Sequence, residues 1–272
     1  MSDDPPSFLD DPAEAVWSVR AQRDTLRMDA RDREDARLTE GLADLAAGVD
    51  RGVPPGETMV RRGAVWVSRV HAPTPPAAAL YGPMLCVIAQ GAKELLLGGE
   101  SYVYETGDYL LNSVAVPASG RVLRATPARP ALWTMIELDP ALVSAVMLEM
   151  GSAPARAEPL RTVERSPIDA ATLDPIARLV HLMARPEEFD FLASGLLREI
   201  VYRMLRGEQG ARFRQIAATG GPSGPILRAV EWLRRHYTHP MSIEALAREC
   251  GLSPSTLHHH FKAVTAMSPL QY

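Results

Sequence analysis

From about residue 64 to residue 138 the apolar positions come in short runs with a two-residue beat rather than a helical one. The segments 64–70, 84–90, 93–97, 101–104, 108–111, 121–124 and 131–138 are short, several are rich in β-branched or aromatic residues, and turn residues bound them. Gly91-Ala92, Gly98-Gly99 and Thr106-Gly107 supply turns, the last two in the form of tight hairpins. Six or seven strands at this spacing predict a sandwich or small barrel over about 58–138.

The beat changes on either side. Leu38, Leu42, Leu45 and Val49 carry a helical stripe that breaks at Gly52-Val53-Pro54-Pro55-Gly56. The preceding residues, 1–37, alternate acids and arginines with few apolar anchors and read as an acidic, flexible leader. Asp139-Pro140 opens a helix, Asp139 as N-cap and Pro140 at the first helical position, with a stripe of Leu142, Val146 and Met150. Two longer stripes follow over about 169–184 and 188–206, the first on Leu173, Ile176, Val180 and Met183, the second on Leu192, Leu196, Ile200 and Met204. They pack against the β unit or form a dimer seam. Gly220-Gly221-Pro222-Ser223-Gly224 reads as a linker, placed at 219–225, between a unit over 38–218 and a last unit over 226–272.

That last unit has the pattern of a helix-turn-helix. Ile226, Val230 and Leu233 mark a supporting helix. Ser242 caps the next one, which turns Ile243, Leu246 and Ala247 inward. Gly251 gives the turn its backbone freedom. Ser253 caps a further helix with Pro254 at its first position, and Leu257 and Phe261, four apart, form its buried side. The opposite side offers Ser255, His258, His259 and Lys262, and Thr256 beside them and the capping Ser242 and Ser253 are DNA-contact candidates as well. Hydroxyl and imidazole groups exchange hydrogen bonds with base edges, and a lysine suits a phosphate.

Charge adds a little. The net charge is −4, yet residues 1–50 hold 13 acids against 6 arginines, whereas residues 225–272 hold 5 Lys/Arg against 3 acids and five of the seven histidines. A slightly basic end on an acidic chain fits DNA contact there. Residues 1–11 are acidic and proline-containing without an apolar stretch, and no apolar run approaches the roughly 18 residues of a membrane span, so a cytoplasmic protein is expected. Two cysteines, Cys86 and Cys250, exclude a disulfide framework.

The segments Ile243-Glu-Ala-Leu-Ala247, Gly251-Leu-Ser253, Leu257, Phe261-Lys262 and Ala266-Met-Ser-Pro-Leu-Gln-Tyr272, together with Tyr81 through Lys93, Gly107-Asp-Tyr109 and Glu137-Leu-Asp-Pro140, resemble the AraC/XylS family of bacterial transcription regulators. The resemblance implies an α+β chain: a cupin-like barrel with flanking helices that binds a small-molecule effector and dimerises, then an all-α DNA-binding unit. It places the base-reading positions on Ser255, His258 and His259. Double-stranded promoter DNA, a small-molecule effector, a second copy of the chain and, for an activator, RNA polymerase are the partners it implies. It also implies a second helix-turn-helix after Tyr272, so that 226–272 hold the first only. For the effector pocket the aromatic and thiol residues of the strands, Trp66, Cys86, Tyr102, Tyr104, Tyr109 and Trp133, are the candidates.

Other chemistries find less support. The strand region has no His-x-His, only His71, so no metal-dependent cupin enzyme, no metal and no cofactor are expected. In His258-His259-His260 successive side chains point about 100° apart on a helix, which keeps one ion from all three. Cys86 reads either as a small core residue or as an electrophile or redox sensor. A metal-free cupin enzyme would need an acid–base pair from Glu100, Glu105 and Asp108, all at turns. A third reading is a chain that dimerises with intact regulators and disables them.

Overall fold

The computed structural model describes residues 12–151, 160–219, 224–238 and 241–272, with side chains from residue 31 onward apart from 218 and 219. In chain order the elements are α1 (Pro12–Gly52), β1 (Met59–Arg62), β2 (Val65–Val70), β3 (Ala77–Tyr81), β4 (Met84–Gln90), β5 (Ala92–Leu97), β6 (Glu100–Glu105), β7 (Asp108–Asn112), β8 (Val116–Arg124), β9 (Ala131–Glu137), α2 (Pro140–Glu149), β10 (Val163–Pro167), α3 (Ala170–Leu182), α4 (Pro186–Arg206), α5 (Gly210–Thr219), α6 (Pro225–His236), α7 (Ile243–Glu249) and α8 (Pro254–Thr265).

The strands form two antiparallel sheets, one of order β1-β2-β9-β4-β7-β10 and one of order β3-β8-β5-β6. Their inner faces meet in one core that includes Cys86, Ile88, Leu95, Leu97, Tyr104, Leu110, Val122 and Trp133. The outer face of the six-stranded sheet builds a second core with the helices, joining Val67, Leu85, Val87, Leu111 and Ile136 to Leu45, Val49, Leu173, Ile176 and Ile200. This double burial explains why β4 is apolar at nearly every position, whereas β6, on the four-stranded sheet, alternates buried and exposed. The α+β class with a β unit followed by a helical end is the architecture observed.

Several expectations change. The stripe from Leu38 to Val49 belongs to a helix that begins at Pro12, so 12–37 is helical, and residues 1–11 lie outside the described residues. The long helix seats its C-terminal part close on α3, where a Cβ on Gly41 would stand 2.9 Å from Leu173 Cδ2. Three strands went unforeseen: β1 and β3 carry little apolar alternation, and β10 lies in the proline-containing stretch between the helices expected from Pro140 and over about 169–184. All three are edge strands, formed because a neighbour presents open hydrogen-bonding groups to them. Gly98-Gly99 does close the β5–β6 hairpin, with φ of 57° and 88°. Thr106-Gly107, by contrast, carries the chain from one sheet to the other. Of the expected linker, residues 220–223 lie outside the described residues.

The last three helices match the pattern closely. Ser242 Oγ accepts from Ala245 N at 3.3 Å and Ser253 Oγ from Thr256 N at 3.2 Å, and Pro254 follows at the first helical position. Gly251 turns the chain with φ 69°. A third core of Ile226, Val230, Leu233, Leu246, Ala247, Leu257, Phe261 and Val264 holds the three helices together, and Val114, between β7 and β8, joins it.

Candidate functional site

Ser255, His258, His259 and Lys262 lie exposed on one side of α8, opposite the buried Leu257, Phe261 and Val264. Their spacing of three, four and seven residues aligns them along a single helix face. Thr256 is half-buried, its hydroxyl 2.7 Å from Ser253 Oγ. Ser242 and Ser253 spend their hydroxyls on helix starts, and Ser242 also donates to Glu244 Oε2 at 2.7 Å. Cys250 is buried, and His236 stacks on Trp232 with ring centroids 4.3 Å apart. No cluster of three or more metal-ligating side chains occurs among the described residues.

The three-helix unit is seated on one end of the barrel. Val264 O accepts from Thr162 N at 3.0 Å, and the Tyr272 hydroxyl donates to Ala115 O at 2.7 Å. Burial pushes the Tyr272 phenol up to about 12. Met267, just past α8, belongs to the inner core of the barrel and comes close to Gly98 at the tip of the β5–β6 hairpin. What steers it there is Ala266, the C-cap of α8, held left-handed at φ 59° and the one non-glycine residue with positive φ among the described residues. Ala266→Gly removes an αL penalty of roughly 1–2 kcal/mol and adds about 0.5–1 kcal/mol of unfolded-chain entropy. A small rise in Tm is therefore expected, checked by thermal unfolding. The seam is not closed throughout: a cleft of about 620 Å³ lies between Leu80 and Pro117 of the barrel and Trp232, Tyr237, Met241 and Leu270 of the helices.

Five of the six expected pocket residues share the inner face of the barrel. Cys86, Tyr104 and Trp133 are buried in its core, Tyr102 packs against that core, and Trp66 stands on the same face by its register with Met135 and Cys86. Tyr109 does not. It is one residue out of phase with Leu110, points into the helix-covered core and interacts with Ser166, and burial raises its phenol to about 12. Cys86 is fully buried with the Tyr104 hydroxyl directed at it, and burial pushes the thiol up, which favours its reading as a core residue over a reactive thiolate.

Sequence reading missed two residues of this face. Lys93 extends inward with its Nζ 4.0 Å from the Trp133 ring centroid, and Ser68 is the register partner of Trp133. The run Lys93-Glu94-Leu95-Leu96-Leu97 has no readable phase, because leucines fall on both faces. The three carboxylates weighed for catalysis are in ion pairs: Glu100 with Arg161 at 2.6 Å, Glu105 with Arg124, and Asp108 with Arg165 at 3.3 Å.

The family described as AraC-type transcriptional regulator N-terminus matches residues 63–212, more than half of the chain, and bacterial regulatory helix-turn-helix proteins of the AraC family match residues 233–272. The chain belongs to the AraC-type transcriptional regulators. In this family frame the α8 unit is its helix-turn-helix, and the protein is a DNA-binding regulator. Among solved structures, fatty-acid-bound ToxT from Vibrio cholerae is similar at 11% identity, covering 78% of this chain and 96% of that one, with a TM-score of 0.31. The AraC-like transcriptional activator CuxR is similar at 14% identity over 81% and 83% of the two chains, with a TM-score of 0.29. A salicylate 1,2-dioxygenase from Pseudoaminobacter salicylatoxidans shares 17% identity over 50% of this chain and 36% of its own, with a TM-score of 0.22. Comparison with curated proteins gave no match. No helix among the described residues is long and apolar enough to cross a membrane.

Proposed function

We propose that this AraC-type regulator reads promoter DNA through the exposed face of α8 and answers to a small molecule held inside the barrel, and that it is a cytoplasmic regulator rather than an enzyme. The division is an effector unit over 38–218, a linker at 219–225 and a reader over 226–272. Ser255, His258 and His259 face base edges and Lys262 a phosphate. Ser242, Ser253 and Thr256 support this face by holding the helix starts. The observation that carries the coupling is Met267: a residue adjoining the reading helix is part of the core in which the effector would sit. A ligand that prefers one arrangement of that core shifts the population of reader positions.

A second copy is the proposed partner in solution, through the side of α2 and α4 that leaves Leu148, Phe191, Leu192 and Tyr202 exposed. RNA polymerase is a further partner if the protein activates.

Fluorescence anisotropy with the chain's own promoter DNA, over a salt series, tests the reading. Saturable binding that prefers promoter over random DNA is expected. Lys262→Ala weakens it on all sequences and lowers the log–log salt slope by about 0.9. His259→Ala relaxes the preference at a cost of about 1–3 kcal/mol. Equal affinity of wild type for promoter and random DNA would refute specific reading.

A further inference from the structure

Lys93 sits inside the barrel without a counter-charge. Only 9% of its surface is exposed, and among the described residues its ammonium has no hydrogen bond and no ion pair. The glutamate beside it in sequence, Glu94, points to the other face and pairs with Arg121. What Lys93 does have is the face of Trp133 and the nearby Cys86 thiol, which burial keeps protonated. An indole face attracts a cation but repays only part of the cost of taking an ammonium out of water. Burial accordingly holds the Lys93 amine below its usual range.

The wall around it contains further unused polar groups. Ser68 Oγ, Trp66 Nε1 and Trp133 Nε1 are all buried and lack a hydrogen-bond partner. Register puts the three on one face: Ser68 opposite Trp133 across the β2–β9 pair, and Trp66 two residues along β2 opposite Met135. That face is the inner one, to which Lys93 also belongs. Native proteins leave few buried polar atoms unpaired, and three on the inner face that Lys93 also enters mark a place that something else can complete. The polar groups here are donors, with a cation among them.

Along the inner face of β9 burial falls from Trp133 through the half-buried Met135 to the exposed Glu137, and beside this end of the strand Arg61 lies 4.9 Å from the Trp66 ring centroid and pairs with Glu137. The remaining lining is apolar and partly flexible: Ile88, Leu95, Leu110 and the thioethers of Met84, Met135 and Met267.

We infer that the barrel interior is a site for a small monocarboxylate with an apolar body, its carboxylate held by Lys93 with the donors of Ser68, Trp66 and Trp133. The inference rests on the reading of the barrel as the effector chamber and names the class of effector. One lysine matches one negative charge, which favours a carboxylate over a phosphate dianion. The methionines are the side chains that can yield room, and Met267 belongs to the reader, so ligand occupancy bears directly on the seat of the helix-turn-helix.

The test titrates the full chain with octanoate and benzoate and with their uncharged amides, octanamide and benzamide. Indole fluorescence is one readout, since Trp66 and Trp133 are two of the four tryptophans, and thermal shift is the second. At least one acid is expected to bind, with its amide at least tenfold weaker. Lys93→Met should abolish that preference and, in the absence of ligand, melt higher than the wild type, because an uncompensated buried charge is gone. Acid and amide binding alike, with no change in Lys93→Met, would overturn the anion site while leaving the barrel as a chamber. A lower Tm for Lys93→Met would make the lysine a structural residue and overturn the inference as well. Silence of all four probes would count against both the site and the chamber.

Discussion

Phe261→Ala is expected to abolish DNA binding while the barrel stays folded. Phe261 is fully buried at the centre of the three-helix core and meets the Tyr272 ring edge-on at 5.5 Å. Removing a buried phenylalanine ring costs about 3–5 kcal/mol. A unit of three short helices has a stability of the same order, so the loss melts it. The two cores of the barrel draw no residue from α6, α7 or α8 themselves, and the buried link between barrel and reader runs through Met267 and Val114. The expected result is therefore anisotropy at the free-DNA level with most near-UV signal from the barrel tryptophans retained. DNA affinity within a factor of two of wild type would refute this account of the reader.

Gly98→Ala carries the second large effect. A Cβ at Gly98 would lie 2.2 Å from the carbonyl oxygen of Ala266 and 2.7 Å from its carbon. Both are backbone atoms, so no side chain can swing aside, and either the hairpin or the docked reader must move. Gly99 is the internal control: it too is left-handed, at φ 88°, but nothing lies within 4 Å of its added Cβ. Gly99→Ala pays only the αL penalty of about 1–2 kcal/mol. Gly98→Ala pays that and the clash, and releases the reader. Hydrogen exchange at Thr162 N–H, which bonds to Val264 O across the seam, should accelerate strongly in Gly98→Ala and little in Gly99→Ala. DNA affinity in Gly98→Ala should no longer respond to a barrel ligand. Protection of Thr162 at the wild-type level in Gly98→Ala would refute a rigid seat.

The two halves of the chain differ in how much of them can be read from sequence. In the reader, local chemistry carries the structure: Ser242 and Ser253 cap, Pro254 starts, Gly251 turns, and Leu257 with Phe261 sets the buried side of α8. Each is a short-range rule, and each holds. In the barrel, most strands follow from the apolar runs, but the direction of individual side chains does not. Tyr109 and Leu110 are both buried, on opposite faces of β7, and the hydrophobic pattern is blind to which is inward. The same ambiguity hid Lys93.

By itself, then, the sequence determined the helix-turn-helix, the antiparallel β unit ahead of it and the family to which both belong, because caps, turns and periodicities are properties of neighbouring residues. Tertiary structure alone decided which face of a doubly buried sheet looks into the barrel, which edges recruit β1, β3 and β10, and that Met267 joins the reader to the core. A strand buried on both sides keeps no alternation to set its phase, and an edge or a docking seam exists only once its partner has folded.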